Sequence, residues 1–256
     1  MLKNGSTVQR TSKSKAFPRL KIGINPIEPF CYMGSDGKLI GIDIDLAREA
    51  CKRIGVTPVF VDVAWDQRDD YLANGKIDCV WSAFAINGRK DSYRWTTAYL
   101  DTPLAMIVND GNPSRSISDF HGPSGVAVRS NSVAESFLLD GGFAKLSGNT
   151  DAVKVNSYGT TDMAETSFAK GLSDALVTYK LALDRFISDQ SELATYRYIN
   201  DDLTMLNLGV AFPKGSTSPY IEKLDTVIQE MKDDGTIDAT VKKYEASATK
   251  GADDAQ

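Results

Sequence analysis

Leu72-Ala73-Asn74-Gly75-Lys76-Ile77-Asp78-Cys79 and Phe168-Ala169-Lys170-Gly171-Leu172-Ser173-Asp174-Ala175 repeat one pattern 96 positions apart. Each reads as the last turn of a helix, a glycine past its end, two linking residues, an aspartate and an apolar strand. Glycine suits the left-handed conformation that closes a helix. Two units that end alike predict two α/β lobes of similar design. The competing reading is a chance likeness between common helix–strand junctions.

Outward from the first copy, Arg19–Ile24 alternates polar and apolar residues and predicts a strand. Asp36-Gly37 is a turn signal between Phe30–Met33 and Leu39–Ile42, which predicts a small hairpin. Asp43 is expected to cap a helix whose apolar residues Ile44, Ala47, Cys51 and Ile54 recur at helical spacing, with Gly55 as its stop. Val59–Val63 is the next strand, followed by a short helix from Asp66 to Asn74 and the buried strand Cys79–Trp81. Around the second copy, Gly125–Val128 leads into Ser132-Val133-Ala134-Glu135, a capping box that starts a helix. Val153–Tyr158, a helix from about Asp162 to Lys170, and Leu176-Val177 continue the alternation. Met205–Phe212 predicts a strand returning the chain to the first lobe. Ser218-Pro219 opens a helix ending at Gly235, and Ile237, Val241 and Tyr244 fit a short last one. Strands alternating with helices over short connections mean an α/β fold with largely parallel sheets.

Composition narrows the function. The 256 residues carry 29 basic and 34 acidic side chains, a net charge of −5, with 42% hydrophobic and 25% charged residues. That is an ordinary globular balance. With no basic stripe to neutralise phosphates, nucleic acid is not the expected partner. No apolar run reaches the roughly 18 residues that a membrane span needs. Met1–Ala16 is polar, lacks the apolar core of an export signal, and reads as a flexible leader; Ala246–Gln256 is expected to fray. His121 is the single histidine and lies in a turn-like segment, so histidine-based nucleophilic catalysis has little to work with. Cys31, Cys51 and Cys79 lack zinc-site spacing, and any disulfide among three leaves a free thiol. Cys51 and Cys79 sit in apolar patterns and are expected to pack as small hydrophobes.

No P-loop, dinucleotide fingerprint, H-E-x-x-H or G-x-S-x-G elbow is present. The adjacent acids Asp69-Asp70, Asp201-Asp202, Asp233-Asp234 and Asp253-Asp254 read as solvated, and neither a metal, a cofactor nor a catalytic residue is expected. What remains is binding chemistry. The segment Ser82-Ala83-Phe84-Ala85-Ile86-Asn87-Gly88-Arg89 follows a buried strand, and ligands of open α/β sheets bind beyond the C-terminal ends of strands. Small residues at Ser82, Ala83 and Ala85 let a ligand approach the backbone. Arg89 offers a carboxylate two parallel charge-assisted bonds. The capped helix start at Ser132 offers unpaired N–H groups and the positive end of a dipole. An anion shared by Arg89 and Ser132 would draw two lobes together.

These residues resemble the family 3 solute-binding proteins, the type II periplasmic-binding fold that serves polar amino acid ABC transporters. The resemblance covers about Arg19–Tyr244. It rests on Gly41-Ile42-Asp43-Ile44-Asp45-Leu46-Ala47, Lys76-Ile77-Asp78, the Ile86–Arg89 loop, and Asp234-Gly235-Thr236 with Lys242-Lys243-Tyr244. It implies two lobes, each a mixed sheet, joined by two crossover strands near Leu104–Val108 and Met205–Gly209. Lobe 1 is then residues 17–108 and 207–246, lobe 2 residues 109–206, with 1–16 a leader and 247–256 a flexible tail.

Carried onto this chain, the resemblance makes Arg89 the clamp for a ligand's α-carboxylate. The loop before it is one residue shorter than usual, which makes Lys90 the rival; the six-residue spacing to Trp95 favours Arg89. Ser132 and Val133 match the second-lobe contacts to the same carboxylate. Ala83 and Ala85 stand where many members have hydroxyls, so backbone contacts survive there while hydroxyl contacts are lost. Trp65 matches a pocket wall, and Phe30, with Glu28 nearby, lies in the covering loop. Tyr179 stands where the family has an aspartate for the α-ammonium, a loss of roughly 1.5–3 kcal/mol for such a ligand. Either another acid, Glu28 first, replaces it, or the ligand is not a standard α-amino acid; Tyr179 could instead stack on the ligand or simply pack. The function implied is that of a monomeric, non-enzymatic extracytoplasmic protein. It would close around an amino acid or similar small carboxylate and deliver it to a membrane permease of an ABC transporter. The alternative is the ligand-sensing ectodomain of a signalling receptor. An enzymatic variant would need a pocket carboxylate of raised pKa, for which Glu28 is the candidate.

Overall fold

The computed structural model describes residues 17–120, 122–148, 153–191, 193–199 and 202–253, with side chains to Glu245 at the C-terminal end. The leader Met1–Ala16 and His121 lie outside the described residues. Two mixed sheets carry the molecule. In the first, Thr57–Asp62, Arg19–Ile24 and Cys79–Val80 run parallel, and Ala211–Pro213 and Tyr93–Trp95 extend the sheet with antiparallel pairings. In the second, the order is Tyr196–Tyr198, Leu100–Asn109, Ala175–Tyr179, Val126–Arg129 and Val155–Tyr158, the last three parallel.

The repeated octapeptide has the same structural job in both sheets. Gly75 and Gly171 take positive φ, 63° and 69°, just past the helices Arg68–Ala73 and Thr161–Ala169. Asp78 then accepts the Lys21 backbone N–H at 2.7 Å, and Asp174 accepts that of Ser124 at 2.6 Å. Each aspartate thus ties a helix exit to the neighbouring parallel strand and sets its register.

Two strands join the lobes. Leu100–Asn109 pairs over Leu100–Leu104 with Thr204–Leu208, then continues into the second sheet against Ala175–Tyr179. The crossing ladder therefore lies four residues before the expected Leu104–Val108. The expected strand Met205–Phe212 is split by Gly209-Val210 into Thr204–Leu208 and Ala211–Pro213. The C-terminal helix is long, Thr236–Asp253, where the sequence predicts a short one; it packs on Ile42–Arg53 and on Lys180–Gln190.

The helix Ile42–Arg53 starts at Gly41, and Asp43 is not its cap, a correction to the sequence reading. Gly41 has φ +131°, and a Cβ there would lie 2.2 Å from the Phe30 carbonyl oxygen. The Tyr244 hydroxyl accepts the Gly41 N–H at 2.9 Å and donates to Asp45 Oδ2 at 2.8 Å, while Lys243 Nζ reaches the same oxygen at 2.6 Å. Two sequence motifs about 200 residues apart are therefore one structural unit. The hairpin Tyr32–Met33 with Leu39–Ile40 forms as expected. Cys31, Cys51 and Cys79 are free and buried, and burial pushes the Cys31 and Cys51 thiols up to about 12.

Candidate functional site

Five strands of the two sheets direct their C-terminal ends at one cleft, delivering Asn25, Trp65, Ser82-Ala83, Arg129 and Tyr179. On the first-lobe side the loop after Cys79–Val80 is held from beneath. Ser82 Oγ donates to the Asn25 carbonyl at 2.8 Å and accepts its N–H at 2.9 Å. Ala83 takes φ +44°, a strained value for a residue with a Cβ. Its N–H is fixed by Asp43 Oδ2 at 2.5 Å, and Asp43 Oδ1 accepts from the Tyr99 hydroxyl at 2.7 Å. Asp43 is fully buried and serves as an anchor for this loop.

Phe84 turns into an aromatic cluster with Trp65, Tyr93 and Trp95. Ala85 bridges to Leu208. Arg89 lies over the Phe84 ring at 5.6 Å, and the Trp95 indole N–H donates to the Arg89 carbonyl at 3.1 Å. That bond gives a structural reason for the arginine-to-aromatic spacing. Lys90, the rival, is exposed, whereas burial, with the Arg68 charge acting alongside, lowers the Arg89 pKa.

On the second-lobe side, Ser132 is the N-cap of Val133–Leu139 and accepts the Glu135 N–H at 3.1 Å. The return bond of the box is shifted by one residue: Glu135 Oε2 accepts from Asn131 N at 2.7 Å. Asn131 has φ +55°, which places its carbonyl in the cleft. That oxygen accepts from Arg89 Nη2 and from Trp65 Nε1, each at 3.0 Å. The Tyr179 hydroxyl donates to the Ala83 carbonyl, and its ring meets Phe30 edge-on at 5.4 Å. Arg129 Nη1 donates to Asn25 Oδ1 at 2.8 Å and stacks on Trp65 at 4.6 Å from the ring centre. These contacts close the cleft to a cavity of about 10 Å³, bordered by Arg129, Ser132, Val133, Thr161 and Tyr179 among others.

The structure brings Arg89, Ser132, Val133, Ala83, Trp65, Tyr179 and Phe30 to this cleft, with Ser82 and Ala85 supporting the loop. Phe84 packs beneath it. Glu28 does not join them. It pairs with Arg185 Nε at 3.2 Å and lines a neighbouring pocket of about 360 Å³ with Asp162, Glu165 and Asp189. Burial raises the Glu28 pKa against the pull of Arg185, and burial likewise lifts Glu165 to about 7. Sequence reading missed Asn25, Arg129, Asn131 and Thr161. The available signal for Arg129 was a cation ending the apolar run Val126-Ala127-Val128; for Asn131 it was an amide tolerant of positive φ just before a cap. Among the described residues, no three His, Cys, Asp or Glu side chains gather to hold a metal ion.

The anchor titrates in a useful range. Burial pushes the Asp43 carboxyl from 3.8 up to about 7, outweighing the bonds from Tyr99 and Ala83. Its folded pKa exceeds its unfolded one, so folding takes up a proton, and that stabilisation fades as pH rises from about 4 to about 7. Asp43→Asn removes this titration. The Tm of the wild type relative to Asp43→Asn is expected to fall over that interval in paired thermal melts; parallel curves would show that Asp43 is already ionised at low pH.

Residues 20–247 match the family model described as bacterial extracellular solute-binding proteins, family 3. The L-cystine-binding protein TcyJ of Escherichia coli (strain K12) is 26% identical over 220 residues, 84% of this chain and 78% of that protein. The putative ABC transporter arginine-binding protein 2 of the same strain is 23% identical over 219 residues, 84% of this chain and 86% of the relative. Among solved structures, an ancestral arginine-binding protein bound to arginine superposes with a TM-score of 0.76 at 30% identity, covering 88% of this chain and 97% of the other.

Proposed function

The chain belongs to the bacterial extracellular solute-binding proteins of family 3, and from that premise we propose that it captures an amino acid or similar small carboxylate between its lobes. We propose further that it hands this solute to the membrane permease of an ABC transporter. One observation carries the reading: the Arg89 guanidinium of the first lobe reaches across to Asn131, the residue immediately before the Ser132 cap of the second. A carboxylate placed there accepts from the remaining Arg89 N–H groups while touching the opposite lobe. Ligand entry then requires the lobes to part, because Tyr179–Ala83, Arg129–Asn25 and Trp65–Asn131 all bridge the cleft. Closure around the solute is a hinge motion, with Leu100–Leu104 and Thr204–Leu208 as the connecting ladder. The relatives named above are binding proteins by name, which supports a capture role rather than turnover.

A thermal-shift screen against amino acids, polyamines and small carboxylates tests this. A ligand at 100 times its dissociation constant stabilises by about 2.7 kcal/mol, a Tm rise of roughly 5–10 °C for a chain of this size. A carboxylate is expected to produce that rise. A response to polyamines and to no carboxylate would contradict the reading.

A further inference from the structure

Arg129 ends the strand Val126–Arg129 and is only 7% exposed. Its guanidinium has a neutral amide oxygen of Asn25 and the face of Trp65 for company. The ionisable groups facing it among the described residues are Tyr179, Arg68 and Arg89, none of them a carboxylate. A buried cation without a counter-charge is costly, and burial lowers the Arg129 pKa to about 10. A second group shares its position. The Thr161 hydroxyl, on a residue 5% exposed, has no hydrogen-bond partner among the described residues, and Thr161 lines the same cavity as Arg129 and Tyr179. An unpaired buried hydroxyl has a price of its own. Among the described residues, no acidic one lines that cavity.

One kind of guest settles all three features. We propose that the cleft takes a dicarboxylate lacking an α-ammonium, its first carboxylate on Arg89 and its second on Arg129 and the Thr161 hydroxyl. The proposal rests on the carboxylate-capture reading above and narrows it. The second carboxylate replaces Asn25 as the partner of Arg129, supplies the missing counter-charge and accepts a hydrogen bond from the idle Thr161 hydroxyl. An α-ammonium in this cavity would meet two arginines and a tyrosine, with no carboxylate among the described residues that line it.

Four matched probes separate the contributions by titration calorimetry at pH 7. Butyrate lacks the second carboxylate of succinate, aspartate adds an ammonium to succinate, and 2-aminobutyrate does both. Succinate is expected to bind at least about tenfold tighter than each of the other three. Arg129→Gln should erase that advantage while leaving butyrate within about threefold. Thr161→Val should weaken succinate yet leave Tm equal or higher, because it removes an unpaired hydroxyl; this arm stands even if Arg129→Gln fails to fold. Aspartate or 2-aminobutyrate matching succinate would overturn the proposal. So would an Arg129→Gln variant that keeps the succinate preference, or one that weakens butyrate equally and thereby marks Arg129 as purely structural. If none of the four probes binds, or if Arg89→Ala leaves butyrate binding unchanged, the narrower proposal falls; carboxylate capture itself fails only if the wider thermal-shift screen finds no carboxylate that stabilises the protein.

Discussion

Arg89→Ala is expected to weaken carboxylate binding by about 2–5 kcal/mol in calorimetry, with little change in Tm. The size follows from desolvation. Arg89 is held over Phe84 and partly removed from water, so a carboxylate placed against it has no solvent to fall back on when the guanidinium is deleted. The small effect on Tm follows from its few protein partners. Among the described residues its side chain makes one hydrogen bond, to the Asn131 carbonyl, and that oxygen keeps its second donor, the Trp65 indole. Truncation therefore leaves no buried acceptor without a partner. Unchanged affinity would remove Arg89 from the site, and a large fall in Tm would make it a structural link between the lobes.

Trp65→Ala should lower both stability and affinity. The family resemblance makes Trp65 a pocket wall. The structure buries Trp65 to 7% exposure in a cluster with Leu72, Ile77 and Phe84. Arg68 and Arg129 also stack on it, at 4.7 Å and 4.6 Å from the ring centre. Truncating a buried tryptophan costs about 3–5 kcal/mol, a Tm loss of roughly 6–20 °C for a chain this long. Affinity should fall as well, since Arg129 loses its stacking surface and the Asn131 carbonyl loses a donor. A variant that melts like the wild type would show that the cluster repacks without it.

The two-lobed plan was legible because its signals are local. A helix stop, a glycine with positive φ and an aspartate bonding the next strand fit within eight residues, and both copies do the same work at Asp78 and Asp174. Arg89 was legible for a similar reason, its spacing to Trp95 being enforced by one hydrogen bond. Asp43 was misread because an acid near a helix start is usually a cap. What claims it is Ala83, 40 residues later, whose N–H at φ +44° requires a buried acceptor. Arg129 and Thr161 left no periodic trace. A cleft assembled from several strand ends takes only one or two residues from each, and a lone cation after an apolar strand looks like a surface residue until the opposing lobe covers it. Glu28 looked available to an ammonium because sequence does not reveal Arg185, its partner from the other lobe.

The central claim is that the two lobes hold a carboxylate between them, and the distance between the lobes reports on it most directly. Spin labels on Asp91→Cys and Gly159→Cys, exposed positions in the first and second lobes, can be read by pulsed electron resonance while the three native thiols stay buried. On adding a carboxylate that calorimetry has shown to bind, the distances should collapse to one narrow short population, and Arg89→Ala should abolish that response. A bound carboxylate that leaves the distance distribution unchanged would contradict the account.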